Sequence, residues 1–150
     1  IARIVLNTSE AEDLAQETFV RLWQHRDRFN LSQAVKPWIL GIAVNLARNR
    51  LRWWRRRPSI SLDDWTETPE PGPAAGAHGF KPLEQSEQAR AVRDALAALP
   101  PDFREVIVLF EYEGLSYADI ALALGTTPKT VENRLARARE KLRPLLRRWL

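Results

Sequence analysis

At 150 residues, 45% of them hydrophobic and 28% charged, the chain has room for one ordinary domain or two small ones, and its composition is that of a globular protein rather than a disordered one. With no Cys, disulfides, thiolate zinc sites and cysteine nucleophiles are excluded; His25 and His78 stand alone without a second ligand at metal spacing, so neither a metal nor a cofactor is expected. The cations outnumber the acids 23 to 19 and are mostly Arg, whose flat donor fork suits phosphates and base edges. No apolar run approaches the roughly 18 residues of a membrane span, and no signal-peptide layout is present, so a cytoplasmic protein without membrane insertion is expected. The chain opens at Ile1 inside an apolar pattern, from which a missing N-terminal part is expected.

The first predicted helix runs from Ser9 to Phe29. Ser9 and Glu12 have the spacing of a capping box, and Leu14, Ala15, Thr18, Phe19 and Leu22 form its apolar stripe. Asn30 to Lys36 reads as a loop. Pro37 then suits the first turn of a second helix, which carries Trp38, Ile39, Ile42, Leu46 and Trp53 and stops at Pro58. Its end is crowded with Arg48, Arg50, Arg52, Arg55, Arg56 and Arg57, interleaved with Trp53 and Trp54. Arg48, Arg52 and Arg55 share one helix face, a line of charge suited to a phosphate backbone, and neighbouring aromatics suit unpaired bases. Favourable interaction with the helix dipole accounts for one or two such cations rather than six.

Residues 58–82 change character. Five prolines, three glycines and the acids Asp63, Asp64, Glu67 and Glu70 against Lys81 describe a flexible acidic tether. Helical periodicity returns from Leu83 to Leu99, breaks at Pro100 and Pro101, and resumes from Phe103 to Tyr112. Ser116 and Asp119 form a second capping-box pair, opening a short helix whose Ile120, Ala121 and Leu124 face inward. Gly125 ends it, Thr127 caps the next helix and Pro128 takes its first position. Val131, Leu135, Ala138 and Leu142 are the buried stripe of that last helix. Cap, short helix, glycine turn, cap and second helix are the layout of a helix-turn-helix, whose second helix enters the DNA major groove. Its outward face carries Lys129, Thr130, Asn133, Arg134 and Arg137, with Glu132 as an acidic exception. No segment alternates with period two for long enough to make a sheet. The expected fold is all-α, with two small helical domains at 1–57 and 83–150 joined by the flexible linker 58–82.

Taken together, the two halves resemble a known family. Asp13-Leu14-Ala15-Gln16-Glu17-Thr18-Phe19 followed by Trp38-Ile39-Leu40-Gly41-Ile42-Ala43-Val44-Asn45 is similar to region 2 of extracytoplasmic-function sigma factors. Leu99-Pro100-Pro101-Asp102-Phe103-Arg104-Glu105-Val106, Gly114 to Ala121 and Thr130 to Arg139 resemble region 4 of the same family. The similarity begins partway through region 2, from which the family's first helix is expected to be largely missing. It implies a protein that directs core RNA polymerase to promoters, region 2 melting the minus-ten element and region 4 reading the minus-thirty-five element. By position, it assigns Asp13, Gln16, Glu17 and Val20 to the polymerase, and Phe29, the loop Asn30–Lys36 and Asn45 to a flipped minus-ten base. Arg48, Asn49 and Arg52 fall where the adjoining single strand is held. Glu132, Asn133, Ala136 and Arg137 match base-facing positions, and Lys129, Thr130 and Arg134 backbone-facing ones. The family's usual Gly before Thr130 is Lys129, and its usual basic residue after Val131 is Glu132. An anti-sigma protein is a common partner in the family, although no residue here encodes one.

Two other classes compete on the residues alone. A free-standing DNA-binding regulator needs only the helix-turn-helix and predicts tight duplex binding without polymerase. A catalytic protein would need a nucleotide loop, a Ser/His/Asp arrangement or paired ligands, none of which the sequence offers.

Overall fold

The computed structural model describes residues 1–30, 32, 34–56 and 87–149, and every regular element among them is helical. The expected tether, together with His78 and Pro58, lies outside the described residues. In chain order the helices are α1 (Ala2–Val5), α2 (Thr8–Gln24), α3 (Val35–Arg55), α4 (Glu87–Ala97), α5 (Pro101–Ile107), α6 (Tyr117–Leu124) and α7 (Pro128–Leu146). A 3-10 turn at Arg26–Arg28 follows α2, and α5 runs on into a π-helical turn at Val108–Tyr112.

Several helix boundaries differ from those the sequence predicts. Asn7, not Ser9, caps α2: its backbone is extended and its side chain accepts the Glu10 amide at 2.9 Å. Asn caps as well as Ser, so the helix starts two residues earlier, and Ala11, Leu14 and Thr18 are its buried residues. Phe19, expected inside that stripe, is 64% exposed. α2 ends at Gln24, short of Phe29, and α3 ends at Arg55, three residues before Pro58. α5 begins at Pro101, whose missing N–H costs nothing in a first turn, rather than at Phe103.

The buried face of α3 also differs. Trp38, Ile39, Ile42 and Trp53 are half-buried, whereas Pro37, Gly41, Ala43, Val44, Leu46 and Ala47 are fully buried. A surface of such small residues lets another backbone approach closely, and α6 does so. A Cβ added at Gly41 would lie 2.9 Å from the Ala123 carbonyl oxygen and 3.3 Å from the Ala123 Cα. The two lobes therefore share one core. Ile4, Val5, Leu14, Val44 and Ala47 join Leu96, Val106, Leu109, Ile120, Val131 and Leu135 in a single apolar cluster.

Polar bonds reinforce the joint. Arg104, only 6% exposed, donates to the carbonyls of Leu96, Ala97 and Leu99 at 2.9–3.0 Å, where α4 ends, and to that of Ile4 at 2.8 Å, near the end of α1. A helix end leaves such carbonyls without partners, and a guanidinium can serve several at once. Lys36 reaches from the start of α3 to the Glu113 backbone carbonyl and lies 3.6 Å from its carboxylate.

Candidate nucleic-acid interface

The helix-turn-helix forms from local signals as the sequence predicts. The Ser116 hydroxyl accepts the Asp119 amide at 3.1 Å and donates to the Asp119 carboxylate at 2.6 Å. Gly125 has φ +62°, the left-handed conformation that stops α6, and Thr127 accepts the Thr130 amide at 3.2 Å. Burial of Val131, Leu135 and Ala138 fixes the rotation of α7. Lys129, Glu132, Asn133, Ala136 and Arg137 consequently face outward, with Thr130 and Arg134 half-buried at the edge. The acidic exception is locally compensated: Lys129 Nζ lies 2.8 Å from the Glu132 carboxylate, one helical turn on. Arg134 is drawn instead toward Asp102 of α5, at 3.2 Å.

On the first lobe, Asn45, Asn49 and Arg52 are exposed along α3, and Arg52 donates to the Asn49 side chain at 2.6 Å. Arg50 lies off this face, paired with Glu10 at 2.8 Å. Phe29 is half-buried and packs on Trp38 with ring centroids 4.8 Å apart, tilted by 37°. Asp13, Gln16 and Val20 are exposed on α2, while Glu17 holds Arg21 at 2.8 Å. Beside them stand Phe19 and Trp23, the latter 70% exposed, with Arg26 stacked 4.4 Å from the Trp23 ring. This apolar strip escapes the sequence reading, which sends Phe19 to the core. Its signal is Phe19, Val20 and Trp23 at helical spacing, opposite the small-residue stripe that starts at Ala11.

The two surfaces meet at a cleft of about 420 Å³, lined from α3 by Asn45, Arg48, Arg52 and Arg55 and from the second lobe by Asp102, Glu105, Thr126 and Arg134. Arg48 spans it. Its Nε donates to both Glu105 carboxylate oxygens, at 2.9 and 3.1 Å, and its Nη2 to one of them at 2.6 Å. Glu105 is fully buried, and its bond holds the Arg48 guanidinium above the usual arginine range. Desolvation lowers the pKa of the neighbouring Arg104, against the pull of Glu105. Arg104 and Glu105 receive no role from the sequence; the available signal was a charged pair inside the apolar run Phe103 to Phe110, where helical spacing demands burial.

Comparison with known proteins bears on this arrangement of lobes. Residues 1–57 match Sigma-70 region 2 and residues 89–142 match Sigma-70, region 4. The RNA polymerase sigma-H factor of Pseudomonas aeruginosa is 37% identical over 98% of this chain and 80% of its own length. The ECF RNA polymerase sigma factor SigW of Bacillus subtilis is 33% identical over 97% of this chain and 80% of its own. The chain belongs to the ECF sigma factor family. Among solved structures, the sigma factor RpoE of Bartonella quintana, in complex with the anti-sigma factor NepR, is 28% identical with a TM-score of 0.70, covering 97% of this chain and 87% of that one. The all-α architecture is thus that of an RNA polymerase sigma factor, a class whose work is transcription initiation rather than catalysis. No helix among the described residues is long and apolar enough to cross a membrane.

Proposed function

We propose that this sigma factor holds promoter DNA at two anchors, the outward face of α7 on duplex and the Phe29–α3 face on separated strands, while α2 docks on core RNA polymerase in the cytoplasm. The observation that carries the proposal is the fixed rotation of α7, with Val131, Leu135 and Ala138 buried and Asn133 and Arg137 aimed outward. On that face Asn133 has the paired donor and acceptor for adenine, Arg137 the fork for guanine, and Glu132 an acceptor for cytosine, with Ala136 leaving room against a thymine methyl. Lys129, Thr130 and Arg134 flank them at positions suited to phosphate. Together these would read the minus-thirty-five element.

The first lobe has different chemistry. Extruding a base costs a few kcal/mol, which a pocket returns by stacking and hydrogen bonds. Phe29 offers a ring and Asn45 an amide, with Arg48, Asn49 and Arg52 beyond them along α3 for the displaced minus-ten strand. Residues 1–57 and 83–150 serve as the two units and 58–82 as their connector. Asp13, Gln16, Glu17 and Val20, beside exposed Phe19 and Trp23, form a mixed polar and aromatic strip of the kind protein partners cover. The similarity to a sigma factor crystallised with an anti-sigma factor supports an inhibitor of that class as a further partner.

Reconstitution with core polymerase and mapping of transcription starts tests the whole. Asn133→Ala and Arg137→Ala should each change promoter preference by about 5- to 150-fold, a loss of ~1–3 kcal/mol per bidentate contact, with core binding intact. Asn45→Ala should leave promoter binding in place and slow strand opening. A chain that does not associate with core enzyme overturns the proposal.

A further inference from the structure

The two charges nearest the start of α7 hold each other. Lys129 Nζ lies 2.8 Å from Glu132 Oε2, one turn along the helix, and among the described residues neither side chain pairs with another charge. Helix stability does not account for the pair. Both side chains are exposed, where an ion pair adds little. An acid preceding a base suits the helix dipole, and here the base precedes the acid. Lys129 is the second residue of α7, at the positive end of the dipole, and that first turn has no acid to offset it. Glu132 in turn stands on the face that carries Asn133 and Arg137, where an unpaired carboxylate would repel phosphate. Residues that serve the helix poorly are expected where they serve a ligand.

Together the two side chains present an acceptor and a donor side by side. A C·G base pair offers the converse in the major groove: cytosine N4 donates, and guanine O6 and N7 accept. N4 and O6 are joined by a Watson–Crick hydrogen bond and so lie ~2.9 Å apart, the usual N–H···O distance. The Lys129–Glu132 separation of 2.8 Å matches it. We propose that Lys129 and Glu132 act as one unit reading a single C·G pair of the minus-thirty-five element, Glu132 accepting from cytosine N4 and Lys129 donating to guanine O6 and N7. The inference rests on the reading of the outward α7 face as the duplex anchor, and it moves Lys129 from the phosphates to a base. The remaining base pairs fit less well. T·A and G·C each set a carbonyl oxygen against the carboxylate and an amino group against the ammonium. A·T keeps the central donor and acceptor, but adenine N7 then crowds the carboxylate and the thymine methyl replaces guanine N7 before Lys129.

The test is selection from a duplex library randomised across the minus-thirty-five element, using the complete protein bound to core polymerase. At one position the wild type should favour C·G over T·A and G·C by about fivefold or more, with A·T between them. Lys129→Ala should bring C·G and A·T level there, because guanine N7 loses its donor. Glu132→Gln should turn the preference to A·T, whose N6 and N7 suit an amide. Exchanging the charges, Lys129→Glu with Glu132→Lys, keeps an ion pair of the same composition and should abolish the C·G preference. Selection at the positions set by Asn133 and Arg137 should survive in all three variants, which shows that each is folded and bound. A C·G preference unchanged by Lys129→Ala overturns the unit and leaves Glu132 reading alone. No change in any of the variants overturns it too, and makes the pair a surface ion pair only. If neither Asn133→Ala nor Arg137→Ala alters selection at any position, the duplex-reading face itself is misassigned.

Discussion

Arg104 shows how much one side chain can be asked to hold. Its guanidinium is buried, which disfavours the charge and lowers its pKa, yet it closes four carbonyls that would otherwise lack partners. Three of these end α4 and the fourth belongs to Ile4, one hundred residues away, so the same group caps a helix and ties the lobes. Arg104→Met removes every one of those bonds while keeping much of the packing. It should destabilise the fold by roughly 3 kcal/mol in urea titration, the scale of breaking a buried charged network. Arg104→Lys, with three donors for four acceptors, should recover part of that. A loss below about 1 kcal/mol would mean the carbonyls find water and the residue is not a strut. The sequence hides this role because an arginine in a helix looks the same whether it faces solvent or a distant carbonyl; only the apolar neighbours Phe103, Val106 and Ile107 hint at burial.

Individual helices were legible to the extent that their signals were local. Ser116, Gly125 and Thr127 each act on backbone within three or four residues, and each does what its residue type predicts. The start of α2 was less legible because Asn7 and Ser9 are both good caps, and cap preference alone does not choose between them. Gly125 gives the sharpest check at this scale. Its φ of +62° strains any L side chain, while a Cβ there would meet nothing within 4 Å, so a substitution is penalised through the backbone alone. Gly125→Ala should therefore cost about 1–2 kcal/mol and Gly125→Asn distinctly less, since asparagine tolerates the left-handed region. Unfolding midpoints for the two variants test the order. Equal losses would point to a steric clash at the turn, contrary to the open space seen there.

At the scale of the whole molecule, two lobes were readable and their union was not. The joint is made by pairs such as Gly41 with Ala123 and Arg48 with Glu105, whose members lie far apart in sequence and carry no local signature of each other. Its consequence is thermodynamic. Lobes of this size bury limited apolar surface alone, and here Val44 and Ala47 share a core with Val106 and Ile120, so each lobe draws stability from the other. The protein should unfold in one transition, with tryptophan fluorescence and helical circular dichroism coinciding. Four of the six tryptophans, Trp23, Trp38, Trp53 and Trp54, belong to the first lobe, which makes fluorescence a report weighted to that half. Gly41→Ala improves the intrinsic helix propensity of α3 by about 1 kcal/mol but pushes its backbone off the Ala123 carbonyl. The two probes should then separate, the tryptophan signal moving to lower urea, because the lobes no longer unfold as a unit. Coincident curves in this variant would show that the shared core absorbs the added methyl, and that the close approach of Gly41 to Ala123 is not what couples the lobes.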